Sequence, residues 1–115
     1  MESFLYHYRA LIISVYDGDT VRADIDLGCK VWIRNEPLRL LGIDAPEIRG
    51  EERPRGLVSR DFLRELILGK EVFIRTLKDR KGKYGRYLAE IYLEGEDRSV
   101  NQIMIDSGMA EDYGG

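Results

Sequence analysis

Three short segments carry side chains that together could do phosphodiester chemistry: Asp17-Gly18-Asp19-Thr20, Arg39-Leu40-Leu41-Gly42-Ile43-Asp44-Ala45-Pro46-Glu47 and Lys83-Tyr84-Gly85-Arg86. Asp19 and Asp44 offer hard oxygen donors of the kind that hold a divalent cation. Glu47 can handle an attacking water, and Pro46 stiffens the loop that carries it. Arg39 and Arg86 are permanently charged planar donors suited to two phosphate oxygens as negative charge builds. Taken singly, each has a plainer explanation. Asp19 reads as a turn aspartate capping its own backbone, Asp44 as an Asx turn, Glu47 as an exposed loop glutamate, and each arginine as half of a structural ion pair. Only the combination points to a metal-dependent phosphodiester-cleaving site.

The elements that must position these residues can be drawn from periodicity. Phe4 to Tyr16 is rich in aromatic and β-branched residues and predicts a long first strand, with Asp17-Gly18 turning into a second. From Thr20 to Asp26, Val21, Ala23 and Ile25 share one face and the polar residues the other, a half-buried strand. Asp19 has the parity of the apolar row. A carboxylate at the end of a core-facing row is costly unless an arginine or a bound cation meets it, which singles out Asp19. A third strand is drawn from Cys29 to Arg34, broken at Asn35-Glu36-Pro37, and resumed from Leu38 to about Ile43, delivering Asp44 at its end. Ile48 to Arg55 reads as a mobile polar surface loop.

After Pro54 the period becomes helical: Val58, Phe62 and Leu66, with Leu63 and Ile67 alongside, predict an amphipathic helix ended by Gly69. Lys70 to Leu77 and Tyr87 to Leu93 read as strands four and five, joined by a basic loop. Ser99-Val100-Asn101-Gln102 has the form of a capping box, opening a short helix that stops near Gly108. Five strands with two packed helices predict an α+β, mainly β, single domain over 1–115, a five-stranded OB-type Greek-key barrel.

Composition bounds the remaining possibilities. No apolar run approaches the roughly 18 residues of a membrane span, so a soluble chain without membrane partners is expected. Met1-Glu2-Ser3 lacks the basic start of a secretory leader, which predicts a cytoplasmic location, or a secreted one if a leader has been trimmed away. With one cysteine, Cys29, and one histidine, His7, neither a disulfide nor a zinc cluster can be assembled. Cys29 is expected to be packed and His7 exposed. The net charge of −3 argues against a general polyanion binder, but charge is segregated. Lys78 to Arg86 holds five basic side chains against Asp79 alone, and the chain from Glu94 onward holds six acidic ones against Arg98 alone.

The three segments, in this order and with a helical stretch between the second and third, resemble the motifs D-G-D-T, R-L-x-G-I-D-A-P-E and K-Y-G-R of the staphylococcal nuclease (thermonuclease) family. The resemblance extends from the first strand to about Gly108. It implies a calcium-dependent nuclease that cleaves DNA and RNA by attack of water on phosphorus, leaving 3′-phosphate ends. By the same resemblance Asp19, Asp44 and the carbonyl of Ala45 would be metal ligands, with Asp17 and Thr20 behind them. Arg39, Glu47 and Arg86 would be catalytic, and Lys83, Tyr84 and Tyr113 would contact substrate. The alternative is an OB-fold module that grips nucleic acid or protein without cutting.

Two features depart from the family pattern. The chain stops at Gly115, where many members continue into a third helix, so a monomer is expected with self-association possible through that seat. Glu111 and Asp112 also place negative charge near the expected substrate pocket. Trp32, Tyr6, Tyr8 and Tyr16 could stack bases, but at strand spacing they read as core or barrel packing.

Overall fold

The computed structural model describes residues 6–78 and 86–113. Its strands are β1 (His7–Asp17), β2 (Thr20–Gly28), β3 (Val31–Leu40), β4 (Ile43–Asp44), β5 (Glu71–Lys78), β6 (Tyr87–Tyr92) and β7 (Glu111–Asp112), with helices α1 (Arg53–Ile67) and α2 (Val100–Asp106). Five strands close a barrel in the order β1-β2-β3-β6-β5, β5 returning to β1, while β4 and β7 form a separate two-stranded ladder. β3 and β6 run parallel and the other neighbours antiparallel. This is the OB-type α+β barrel the alternation predicts, with the small β4–β7 pair added.

The core is the inward row of each strand: Ala10, Ile12 and Val15 from β1, Val21, Ala23 and Ile25 from β2, Leu38 and Leu40 from β3, Val72 and Ile74 from β5, Ala89 and Ile91 from β6. The third strand is not broken at Asn35-Glu36-Pro37. β3 runs through it on a bulge at Asn35, whose φ is +56° and whose N–H is taken by Asp24 Oδ1 at 2.9 Å. Pro37 is tolerated because pairing with β6 begins only at Leu38.

The β2–β3 hairpin projects beyond the barrel, so the outer half of β3 buries neither face. Trp32 is therefore 39% exposed under Arg34, whose guanidinium carbon lies 4.7 Å from the ring centroid. Tyr16 alternates with buried Val15 and faces outward from β1, 50% exposed, and Tyr6, just ahead of β1, is 60% exposed. Of the four aromatic residues read as packing, only Tyr8 joins the core. Cys29 is likewise exposed, in the two-residue turn Cys29-Lys30 where both residues have positive φ. His7 is exposed, as expected.

The segment read as a mobile loop folds into a 3-10 turn at Gly50–Glu52 that runs directly into α1. The buried stripe of α1 is Gly56, Ser59, Leu63 and Ile67, rotated from the expected face, and Val58 is 57% exposed. Small residues occupy the first half of that stripe because the helix comes very close to the Glu47 loop and the Gly18 turn there. At α2, Ser99 Oγ accepts from the Gln102 N–H at 3.0 Å, but the Gln102 side chain donates forward to Asp106, so half of the capping box forms. Among the described residues, no helix is long and apolar enough to cross a membrane.

Candidate active site

Asp19 ends the inward row of β2 and is 4% exposed. Burying a carboxylate requires compensation, and three donors supply it. Its Oδ2 lies 3.2 Å from Arg39 Nη1 and accepts from the Ala45 N–H at 2.9 Å; its Oδ1 accepts from the Thr20 hydroxyl at 3.1 Å. The other terminal nitrogen of Arg39 lies 3.6 Å from Asp44 Oδ1 and donates to the Ile43 carbonyl at 3.2 Å. One guanidinium thus spans both aspartates, one sealed in the barrel mouth and one more than half exposed. The Leu40 N–H also donates to the Asp19 carbonyl at 2.8 Å, locking the start of β2 to the end of β3.

Asp17 supports this arrangement from the turn, its Oδ1 accepting from the Asp19 N–H at 3.1 Å. Burial, and then the neighbouring Asp19 carboxylate, push its pKa from 3.8 up to about 6. Folding therefore favours the neutral form: the contribution is complete below about pH 4 and is lost as pH rises through about 6. In chelator, Asp17→Asn is expected to raise the melting temperature at pH 7 and leave it nearly unchanged at pH 4. Equal shifts at both pH values in thermal melts would rule out titration as the cause.

Two glycines and a serine bring α1 against the loops that carry the acids. A Cβ on Gly18 would lie 2.2 Å from Ser59 Oγ and 2.7 Å from Ala45 Cβ. One on Gly56 would lie 2.1 Å from the Glu47 carbonyl oxygen and 2.5 Å from its carbon. Ser59 is buried and donates to the Met109 carbonyl at 2.7 Å. The Glu47 N–H donates to Glu52 Oε2 at 3.4 Å, and the Glu47 side chain is left exposed. Sequence reading missed Gly56 and Ser59, although a glycine inside a helical period is itself a signal of close packing. It also missed the connecting role of Asn101, whose amide donates to the Leu41 and Ala89 carbonyls at 2.8 and 3.0 Å and accepts from the Ile91 N–H at 3.1 Å. That side chain ties α2 to β6 and to the turn that leads into Asp44.

Arg86 is partly buried immediately ahead of β6. Leu88 sits opposite Arg39 in the parallel ladder, and Arg86 lies two residues before that partner, just ahead of β6. Tyr113 is 65% exposed; its N–H donates to the Gly42 carbonyl at 2.9 Å, and the Arg39 guanidinium carbon lies 5.9 Å from its ring centroid. Lys83 and Tyr84 lie outside the described residues.

Beside Asp44 opens a cleft of about 280 Å³ lined by Asp44, Ala45, Glu52, Arg55, Met109 and Glu111. Glu111 stands directly opposite Asp44 in the β4–β7 ladder, so the acidic segment does reach the site. Among the described residues, no three acidic, histidine or cysteine side chains converge as a ready-made metal cage. The donor set is nonetheless one that suits a hard cation: two carboxylates drawn to one positive charge, with backbone carbonyls beside them and one carboxylate open to solvent.

The sequence is 28% identical over 130 residues to an uncharacterized protein of Methanocaldococcus jannaschii, covering 93% of this chain and 60% of that protein. It is 30% identical over 102 residues to the thermonuclease of Staphylococcus hyicus and 32% identical over 103 residues to that of Staphylococcus intermedius. These alignments cover 86% and 87% of this chain and 56% of each thermonuclease, so the chain spans little more than half the length of the relatives it matches. The family model described as staphylococcal nuclease homologue matches residues 37–114, which include Arg39, Asp44, Glu47 and Arg86. This chain belongs to the staphylococcal nuclease homologue family.

Proposed function

We propose that this protein is a calcium-dependent nuclease acting on DNA and RNA and releasing 3′-phosphate ends. The observation that carries the reading is the single guanidinium of Arg39 held between the buried Asp19 and the exposed Asp44, in a chain of this family. A buried carboxylate, an open carboxylate and a cation at one strand end suit a site that must hold positive charge against a phosphodiester.

Asp19, Asp44 and the Ala45 carbonyl would hold calcium, which when bound supplies Lewis-acid charge to a phosphate oxygen and acidity to water. The chain's own residues divide the remaining work. Arg39 offers two terminal nitrogens that can pass from carboxylate to phosphate oxygens, with Arg86 as a second cation just ahead of the strand that pairs with β3. Glu47 accepts a proton from the attacking water as the new P–O bond forms and the P–O5′ bond breaks, and the departing 5′-oxygen takes a proton from solvent to leave as a 5′-hydroxyl. Tyr113 covers Arg39 at the rim, with Lys83 and Tyr84 as further substrate contacts.

Cleavage of 5′-labelled single-stranded DNA and RNA in calcium, in magnesium and in chelator tests this. Expected is cutting in calcium, none in chelator, and fragments that a phosphatase shifts in mobility by removing a 3′-phosphate. Strand binding without cutting in calcium would make the chain a binding module instead.

A further inference from the structure

A second cleft, of about 430 Å³, opens on the outer barrel face beside the Arg39 site and is walled by Tyr16, Arg22, Pro37, Ile48, Arg60 and Arg64. Its position follows from strand register. Thr20, which bonds Asp19, pairs with Arg39, and two residues further along the same ladders Ser14, Arg22 and Pro37 stand abreast. Thr20 also lines the cleft, which places the cleft next to the strand ends that carry Asp19 and Arg39.

The chemistry of this cleft is that of a flexible, aromatic-binding polyanion. Tyr16 is 50% exposed, and its hydroxyl accepts from Arg49 Nη2 at 3.1 Å, which brings a fourth arginine to it. Pro37 and Ile48 supply apolar walls. Among the described residues, no acidic side chain lines the cleft. Arg60 pairs with Asp61 at 3.0 Å and Arg64 reaches the same carboxylate at 4.0 Å, so one acid on the helix is shared by two guanidinium groups. Arg64 also donates to the Val15 carbonyl, fixing α1 to β1 at the cleft wall. Arg22 donates to the Asn35 carbonyl at 2.9 Å and remains exposed. A chain whose net charge is −3 has gathered three arginines and an exposed tyrosine into one cleft, with a fourth arginine bonded to that tyrosine.

The geometry points to a binding site for single-stranded nucleic acid in this cleft, one base stacking on Tyr16 and the flanking phosphates meeting Arg22 and Arg60. It rests on the proposed function in that Arg39 marks where the scissile phosphate sits. A stacked base and phosphate-contacting arginines are the two devices by which single strands are held without sequence readout. An acidic peptide would use the arginines but leave the Tyr16 ring and the apolar walls unused.

The test is fluorescence anisotropy with a labelled 12-nucleotide single strand and with a labelled dinucleotide, in chelator, so that no cutting intervenes. Tyr16→Ala is expected to weaken binding of the 12-mer about tenfold, in keeping with the worth of a stacked base. Tyr16→Phe, which loses the Arg49 bond and keeps the ring, should bind within about twofold of wild type. Arg22→Gln combined with Arg60→Gln should lower the slope of log affinity against log salt by about 1.4, two phosphates at about 0.7 each. The dinucleotide should be affected less than about twofold by all of them. Unchanged 12-mer affinity in Tyr16→Ala, an unchanged salt slope in the arginine variant, or equal competition by a glutamate peptide of matched charge would overturn the inference. If these losses appear but wild type never cuts in calcium, the strand-binding cleft stands and the nuclease reading falls. If wild type cuts and the variants bind the 12-mer normally, the reverse holds.

Discussion

Replacing Arg39 with methionine is expected to destabilise the fold by about 3 kcal/mol and to reduce cleavage by about 10²–10³-fold. The stability term comes from Asp19, which is 4% exposed and would lose its only cationic partner among the described residues while keeping its hydrogen bonds from Ala45 and Thr20. Leaving a buried charge unpaired typically costs about 3–5 kcal/mol, and the two retained hydrogen bonds place this case at the low end. On the proposed function, the activity term is the loss of one donor that would stabilise charge developing in the transition state. Adding Asp19→Asn to Arg39→Met should recover most of the stability and none of the activity. Urea unfolding in chelator separates the two effects. A single variant as stable as wild type would mean that Arg39 is not what allows Asp19 to be buried.

Glu47→Gln is expected to lower turnover by about 10²–10⁴-fold, the usual range for a positioned general base, with stability within about 0.5 kcal/mol because the side chain is exposed. Gly56→Ala should reproduce much of that loss from a distance. Alanine favours a helix by about 1 kcal/mol over glycine. Here its methyl group would lie 2.1 Å from the Glu47 carbonyl oxygen, so either α1 or the Glu47 loop must move. Overpacking of this kind costs about 1–3 kcal/mol, and a displacement of about 1 Å at a catalytic group costs about 10²-fold. Turnover should therefore fall about 100-fold with a small change in KM, in a protein that still unfolds cooperatively. Full turnover and wild-type stability in Gly56→Ala would show that α1 does not position Glu47.

Much of the barrel was legible because a half-buried strand writes its burial into alternate residues. Val21, Ala23 and Ile25 face inward, and the same parity carries Asp19 into the core. Trp32 was misread because periodicity cannot tell how far a strand extends past the barrel. β2 and β3 outrun it, and Trp32 sits on a projecting hairpin. The helix face was misread for a related reason. Its inner stripe begins with Gly56 and Ser59, residues chosen for smallness, and a hydrophobic pattern does not register a close approach of two backbones.

By itself the sequence determined which groups could do chemistry and where most of the strands and helices run, because residue type and period are local properties. It also marked Asp19 as a carboxylate that something positive must meet. Only the tertiary structure decided what meets it. The guanidinium of Arg39 reaches Asp19 and Asp44 together because the start of β2 and the end of β3 are hydrogen-bonded side by side through Leu40 and Asp19, residues far apart in sequence. The placement of Glu47 by Gly56 and the gathering of Tyr16, Arg22 and Arg60 beside Thr20 are likewise products of how α1 and three strands pack. Such juxtapositions depend on register and on distances between backbones, which no single segment of the chain encodes.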